Sequence, residues 1–434
     1  STNSPNTTAA SPKLQKKWAW TAVICIAECE TSGSKRNNSA ARKRLCANLA
    51  EMPYHLFDLT QVQLTVRQQE NPLQSKSFIS TISLVCLLIA AGILISACPG
   101  KGPEASTNTA PAKAPRTPSK ATFLAVGDMM ISRGVARVID SARDPLIPFS
   151  ALEKEFLATD FNFGNLESPV SGNDNRVGKG LVFNARKADI EGLVKHKFKV
   201  VNLANNHALD QGPNGLQFTR DFLTQKGIEY LGVGADLNEA WKPKFVEANG
   251  IKIGFVGASY ASINDGGVAR NNLVARVEDE ENLKKAIESA RSQSDFVVVT
   301  MHAGIEYVRQ PDKTQVKFAR AAVDFGADVV IGAHPHWVQV TEEYKGKMIY
   351  YSLGNFIFDQ RKPETILGLM LKVNLKTSAN ADERATLDSI EYMPVVIEKM
   401  GIPRLATPTE AKSILQKINI TDPIYRPGAA ATAK

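Results

Sequence analysis

The sequence predicts an α/β domain built on mixed sheets over residues 121–400, and three observations lead there. From residue 121 onward, short β-branched or apolar runs alternate with amphipathic helical segments. From residue 348 the apolar runs follow one another without helices between them, which adds an antiparallel part. Polar, metal-capable residues stand at the ends of the apolar runs, where open α/β sheets gather their ligands.

In chain order, strands are predicted over 121–126, 161–166, 200–204, 230–233, 251–257, 296–301, 329–331, 348–352 and 367–375. Helices are predicted over 215–226, 280–292 and 313–325. Residues 401–434, rich in Pro, Ala and Thr, are expected as a loosely packed C-terminal tail. No internal repeat is present.

The formal net charge is +8, but residues 1–120 carry 14 Lys and Arg against 6 Asp and Glu, so the remainder is neutral. A nucleic-acid binder carries its basic stripe on the folded domain. No nucleic-acid partner is therefore expected. All five cysteines lie in the first 98 residues, so the α/β part has neither a disulfide nor a thiolate ligand.

Residues 76–98 carry the targeting signal. An uncharged apolar stretch of about 20 residues runs from Phe78 to Ala97, long enough to span a bilayer. It ends in Ile95-Ser96-Ala97-Cys98 and so resembles a bacterial lipoprotein signal. That resemblance implies cleavage before Cys98 and a lipid on its sulfur. The other reading is an uncleaved anchor helix. Either places the rest of the chain outside the cytoplasm, attached to the membrane. Residues 1–75 are polar and basic without periodicity, and the chain starts at Ser1 without Met. This segment is expected to come from over-extended translation upstream of the true start. Residues 99–120, rich in Pro, Ala, Thr, Ser and Lys, cannot bury enough apolar surface to fold and read as a flexible tether.

Six segments place chemistry at strand ends: Gly127-Asp128-Met129-Met130-Ile131-Ser132-Arg133, Asn165-Leu166-Glu167, Asn205-Asn206-His207, His302 to Tyr307, His334-Pro335-His336 and Gly354-Asn355-Phe356. Four of the six histidines of the chain fall in them. A lone His after a strand is usually a surface or core residue, but four such placements beside Asp128, Glu167 and Asn206 point to a metal centre. Two imidazoles two residues apart, stiffened by Pro335, can reach one metal or two neighbouring ones. Imidazole, carboxylate and amide donors without sulfur suit Mn, Zn or Fe, with Mn or Zn preferred. His55 and His196 have no motif around them and receive no role. Phe356 and Phe358 are expected to fill core, and Trp337 to wall or underlie the pocket.

The order Asp, carboxylate, Asn-His, His, His-x-His resembles that of calcineurin-like metallophosphatases. The wording GDMMISR, NLESP, NLANNHALDQG, HAGIEY, GAHPHWVQ and YYSLGNFIFD is similar to the CapA family, named for poly-γ-glutamate capsule biosynthesis, over about residues 122–375. The resemblance implies a four-layer α/β/β/α sandwich with mixed sheets. It implies that Asp128, Glu167 and His336 hold one divalent metal. Asn206, His302 and His334 hold a second, with Glu167 bridging. His207 is then the general acid, and Arg133 and Glu306 contact substrate. The chain departs from the phosphatase pattern at Met130, which stands where that pattern has His. It departs again at Asn165-Leu166-Glu167, which replaces Gly-Asp-x-x-Asp/Asn, and at Ala303, where the family has an aromatic. One ion or two both fit such a site. Three functions follow: making, exporting or anchoring an anionic capsule polymer, with that polymer or its synthase as partner; hydrolysing phosphoesters or a polymer; or scaffolding with a vestigial site.

Overall fold

The computed structural model describes residues 116–175, 180–262 and 271–428. The leader 1–75, the anchor segment 76–98 with Cys98, and most of the tether 99–120 lie outside the described residues. Among the described residues, no helix is long and apolar enough to cross a membrane.

Among the described residues, fifteen strands follow in order: β1 Lys120–Met129, β2 Phe161–Leu166, β3 Phe198–Asn202, β4 Glu229–Leu231, β5 Lys244–Ala248, β6 Ile251–Ser259, β7 Phe296–His302, β8 Val329–Ala333, β9 Thr341–Tyr344, β10 Lys347–Tyr350, β11 Asn355–Ile357, β12 Leu367–Lys376, β13 Thr386–Glu398, β14 Ile402–Leu405 and β15 Ile424–Tyr425. They form two mixed sheets. The first has the order β14-β13-β12-β1-β2-β3-β4, with β11 on β1 and β15 on β13. The second has the order β5-β6-β7-β8-β10-β9. In the first, the parallel run β1-β2-β3-β4 carries antiparallel β12, β13 and β14 on one side; in the second, the parallel run β6-β7-β8-β10 lies between antiparallel β5 and β9.

The alternation of side chains across a pleated strand builds the layers. In β1, Phe123 and Ala125 point into a core between the sheets, while Leu124 and Val126 point into a second core behind the first sheet. In β7, Val298 faces the central core and Val297 and Val299 face a third. Helices Arg133–Ala142 and Gly212–Gln225 close the second core through Val135, Ile139, Leu216 and Leu223. Helices Glu280–Gln293 and Lys313–Asp324 close the third through Leu283, Ile287, Phe318 and Ala322. Three cores between four layers make the α/β/β/α sandwich that the motifs lead one to expect.

Several boundaries differ from the sequence-based expectation. The third strand starts at Phe198, because its ladder to β2 opens there, and it ends at Asn202. Leu203 and Ala204 already belong to the turn leading to Asn206. Strand β13 escapes a pattern search because half-exposed Asp388, Ser389 and Glu391, together with Pro394, interrupt its apolar run. Its side chains Ile390 and Tyr392 nevertheless join the central core.

Residues 401–434 are not a loose tail through Tyr425. Strand β14, helix Pro408–Lys417 and strand β15 follow one another there. Thr407 and Glu410 form a capping box that starts the helix. Leu415, Ile418 and Ile420 then bury themselves in the central core. Sparse apolar residues sufficed because each is aimed inward by an amphipathic turn. Ile418 is wholly buried, so Ile418→Ala is expected to cost about 2–5 kcal/mol in urea unfolding. A cost below about 1 kcal/mol would restore the tail reading.

Candidate metal centre

The strand ends of both sheets meet at one place. Asp128 of β1 is in register with Asn355 of β11 on one side and Asn165 of β2 on the other. Asn165 is in turn in register with Asn202 of β3. β11 can press this close because residue 127 is glycine: a Cβ there would collide with the Gly354 carbonyl oxygen. From the second sheet come His302, the last residue of β7, and His334 and His336, just beyond β8. The backbone N–H of His334 donates to Asp128 Oδ2 at 3.3 Å and ties the sheets together.

Donor atoms of Asp128, Glu167 and His336 lie within 4.8 Å of one another, all buried. Glu167 is wholly buried, and neither carboxylate oxygen has a hydrogen-bond donor. Burying an unpaired carboxylate is very costly, and a divalent cation between these three residues removes that cost. The donor set therefore fits a metal. Beside it, His302 Nε2 lies 2.7 Å from Asn206 Oδ1 and 4.0 Å from Glu167 Oε1. The His302 and His334 rings are 4.8 Å apart, and His334 Nδ1 is buried without a partner. Asp128, Glu167 and His336 thus form one group with His302 at its edge, and Asn206 and His334 lie against His302.

The turn that delivers the two imidazoles is strained. His334 and His336 have φ of 100° and 57°, in the left-handed region. Such backbone costs on the order of 1–3 kcal/mol per residue and survives where surrounding contacts enforce it. Tyr307 supplies one, its N–H donating to the Pro335 carbonyl at 2.9 Å.

Electrostatics suit a cation. Burial, followed by the Asp128 charge, holds the Glu167 carboxyl well above the usual range. Burial, followed by neighbouring imidazoles, holds His302 and His334 well below theirs, in the neutral form that ligates metal.

His207 stands beside this group. Its Nε2 is 3.7 Å from Glu167 Oε1 and its Nδ1 2.7 Å from Asp210 Oδ2. Asp210 Oδ2 also accepts from the backbone N–H of Phe183, at 2.6 Å. The Phe183 ring stacks on His207 at 3.9 Å between centroids. An imidazole held at Nδ1 by a carboxylate presents Nε2 to the site.

Not every expected residue takes its expected place. Arg133 is no free fork for an anion. Its guanidinium pairs with Asp359 at 2.5 Å, donates to the Gly180 carbonyl at 2.9 Å and lies over the Phe183 ring at 4.6 Å. It braces the aromatic wall behind His207 instead. Glu306 is exposed on the loop after β7; burial, followed by the Glu306 charge, raises the Tyr307 hydroxyl, and that charge adds to burial and Asp128 in raising Glu167. Met130, in the position of a phosphatase-type His, is wholly buried in the apolar core behind the first sheet. Phe358 fills that same core but also lies 4.8 Å from the His336 ring. Trp337 is partly buried, with the Arg309 guanidinium 5.3 Å over it. His196 stacks on Phe149, away from these residues.

Asn165 and Asn355 stand in the segments that the sequence singles out but received no role there, and Asp210, Phe183 and Asn202 were not selected as site residues. Asp210 follows His207 by three, a spacing that is informative only once the loop geometry is known. The asparagines sit at strand ends, but only sheet register puts them in one row.

Comparison with known proteins agrees with the motifs. The bacterial capsule synthesis protein PGA_cap family matches residues 122–360. The PGA biosynthesis protein CapA of Bacillus subtilis (strain 168) is 33% identical over 278 residues, covering 63% of this chain and 73% of that one. The capsule biosynthesis protein CapA of Bacillus anthracis is 30% identical over 309 residues, covering 69% and 74%. Among solved structures, a hypothetical protein from Thermus thermophilus aligns with a TM-score of 0.38 at 16% identity, covering 63% of this chain and 98% of that one. The 5'-nucleotidase precursor from the same organism aligns at 0.39 and 16% identity, covering 69% and 58%. The family match spans more than half of the chain, and the chain belongs to the bacterial capsule synthesis protein family PGA_cap.

Proposed function

We propose that this protein serves the synthesis, export or anchoring of poly-γ-glutamate or a related capsule polymer, with a metal-dependent, hydrolase-type site. The capsule role is supported by the names of its relatives, CapA of Bacillus subtilis and of Bacillus anthracis. The site rests on one observation above all: the wholly buried Glu167 carboxylate, without a donor to either oxygen, between Asp128 and His336. Asp128, Glu167 and His336 would hold one ion, and Asn206, His302 and His334 a second. With imidazole, carboxylate and amide donors and no sulfur, Mn, Zn or Fe would suit the site, and Mn or Zn is the preferred metal. When bound, it would acidify a water and stabilise developing charge on substrate oxygens. The chain's own part is to shut out bulk water and to hold a proton on His207 Nε2, 3.7 Å from Glu167. Membrane attachment through Cys98 or the 78–97 segment belongs to the same reading and is supported by sequence alone.

Metal per chain, measured by elemental analysis of wild type and of an Asn206→Ala/His334→Ala double variant, tests the site. We expect one or two Mn or Zn ions in wild type and fewer in the variant. A folded wild type that stays metal-free under loading conditions would leave a binding or scaffold role.

A further inference from the structure

The row Asn355–Asp128–Asn165–Asn202 runs in register across β11, β1, β2 and β3, and all four side chains are buried. Unpartnered amides are expensive in such a place, and every amide nitrogen of the row is committed, Asn202 Oδ1 alone being left without a partner. Asn202 Nδ2 donates to the Ala204 carbonyl at 2.8 Å and to Asn165 Oδ1 at 2.9 Å. Asn165 Nδ2 in turn donates to Asp128 Oδ1 at 2.8 Å.

Asn355 is divided differently. Its Nδ2 donates to the Thr365 carbonyl at 2.9 Å and to Gln360 Oε1 at 3.1 Å, both on the segment after β11. With both amide protons spent there, Oδ1 is left facing His336 Nδ1 at 2.9 Å. An amide oxygen only accepts, so Nδ1 carries a proton toward Asn355, with Asp128 Oδ2 a more distant second acceptor at 3.4 Å, and in the single-proton tautomer the lone pair is on Nε2. Metal-ligating histidines are commonly fixed in this way, through the nitrogen that does not ligate.

We propose that Asn355 is a positioning residue that locks the tautomer and orientation of His336 for metal binding. The inference rests on the metal-site reading above. One half of the side chain serves the scaffold and the other serves the imidazole, and the two can be separated. Asn355→Ala removes both halves. Asn355→Asp keeps an acceptor for His336 Nδ1–H but cannot donate to Thr365 or Gln360.

The test is Zn²⁺ affinity of the full chain by chelator competition, with the ¹⁵N shifts of His336 as a reading of its tautomer. Asn355→Ala is expected to weaken Zn²⁺ binding about 10- to 100-fold and to mix the tautomers. Asn355→Asp is expected to bind Zn²⁺ at least as tightly as wild type, with His336 still protonated at Nδ1. Loss in the Asp variant, with His336 no longer protonated at Nδ1, overturns the proposal, because the scaffold half would then be the one that matters. Unchanged affinity in a folded Ala variant overturns it too. If the Ala variant does not fold, the isosteric Asp variant decides alone. A wild type that binds no Zn²⁺ sinks the metal reading and this inference with it, whereas a metal-binding wild type with an indifferent Asn355 sinks only the latter.

Discussion

Replacement of His207 by Asn is expected to lower turnover by the metal-loaded protein about 10²- to 10⁴-fold, the usual contribution of a general acid, with folding and metal content unchanged. The expectation rests on the placement of the ring. Nδ1 is taken by Asp210 at 2.7 Å, and one face is covered by Phe183. Nε2 alone remains for a substrate, beside Glu167. Asn retains a small polar side chain but has no titratable proton. Because His207 stands outside the Asp128, Glu167 and His336 group, loss of activity and loss of metal separate cleanly. Cellular polymer yield provides a second readout. Full activity or full polymer yield in the Asn variant would remove His207 from the chemistry and return it to packing against Phe183.

Glu167→Gln is expected to have two effects of opposite sign. The metal-free variant should be more stable than wild type at neutral pH, by roughly 1–3 kcal/mol, since a buried unpaired carboxylate is replaced by a neutral isostere. At the same time, the variant should lose the stabilisation that metal gives wild type, about 2.7 kcal/mol at a hundredfold excess over Kd.

The pH dependence follows from the raised Glu167 carboxyl. A folded-state value above the unfolded one means that folding takes up a proton. That contribution is fully present below the unfolded carboxylate value of about 4.3 and is lost as pH rises through the folded value. Wild type without metal should therefore fall behind the Gln variant progressively as pH rises. His302 and His334 are held neutral, with depressed values that cost stability on the acid side. They are common to both proteins, so the difference between the two unfolding curves isolates Glu167. Urea unfolding at several pH values, with and without metal, reads both effects. A Gln variant that is no more stable and is still stabilised by metal would show that Glu167 is not the centre of the site.

The α/β class, most of the strands that the structure pairs in parallel and the polar residues at their ends were legible in the sequence, for a physical reason. Strands covered on both faces must be apolar along their length, and their ends are where polar residues can be tolerated. Runs such as 121–126 and 296–301 therefore announce themselves, and the Asp, Glu, Asn and His residues that follow them mark the site. What the sequence withheld was whatever depends on pairing between distant segments. β13 and the helix after Thr407 bury too few apolar side chains per turn to stand out. They are recognisable only against the core that Ile390, Leu415 and Ile418 complete. Arg133 shows the same limit at the site. Its residue type suited an anion, but Asp359, 226 positions later, had already claimed it.

From sequence alone came the chemistry: which donors are present, that they carry no sulfur, and that they stand at strand ends. Only the tertiary structure decided which of them meet, which imidazole nitrogen is free, and that Asn355, Asp128, Asn165 and Asn202 form one row. Strand periodicity is a local property of the chain, whereas register and side-chain partnership are set by backbone ladders between strands that lie far apart in sequence.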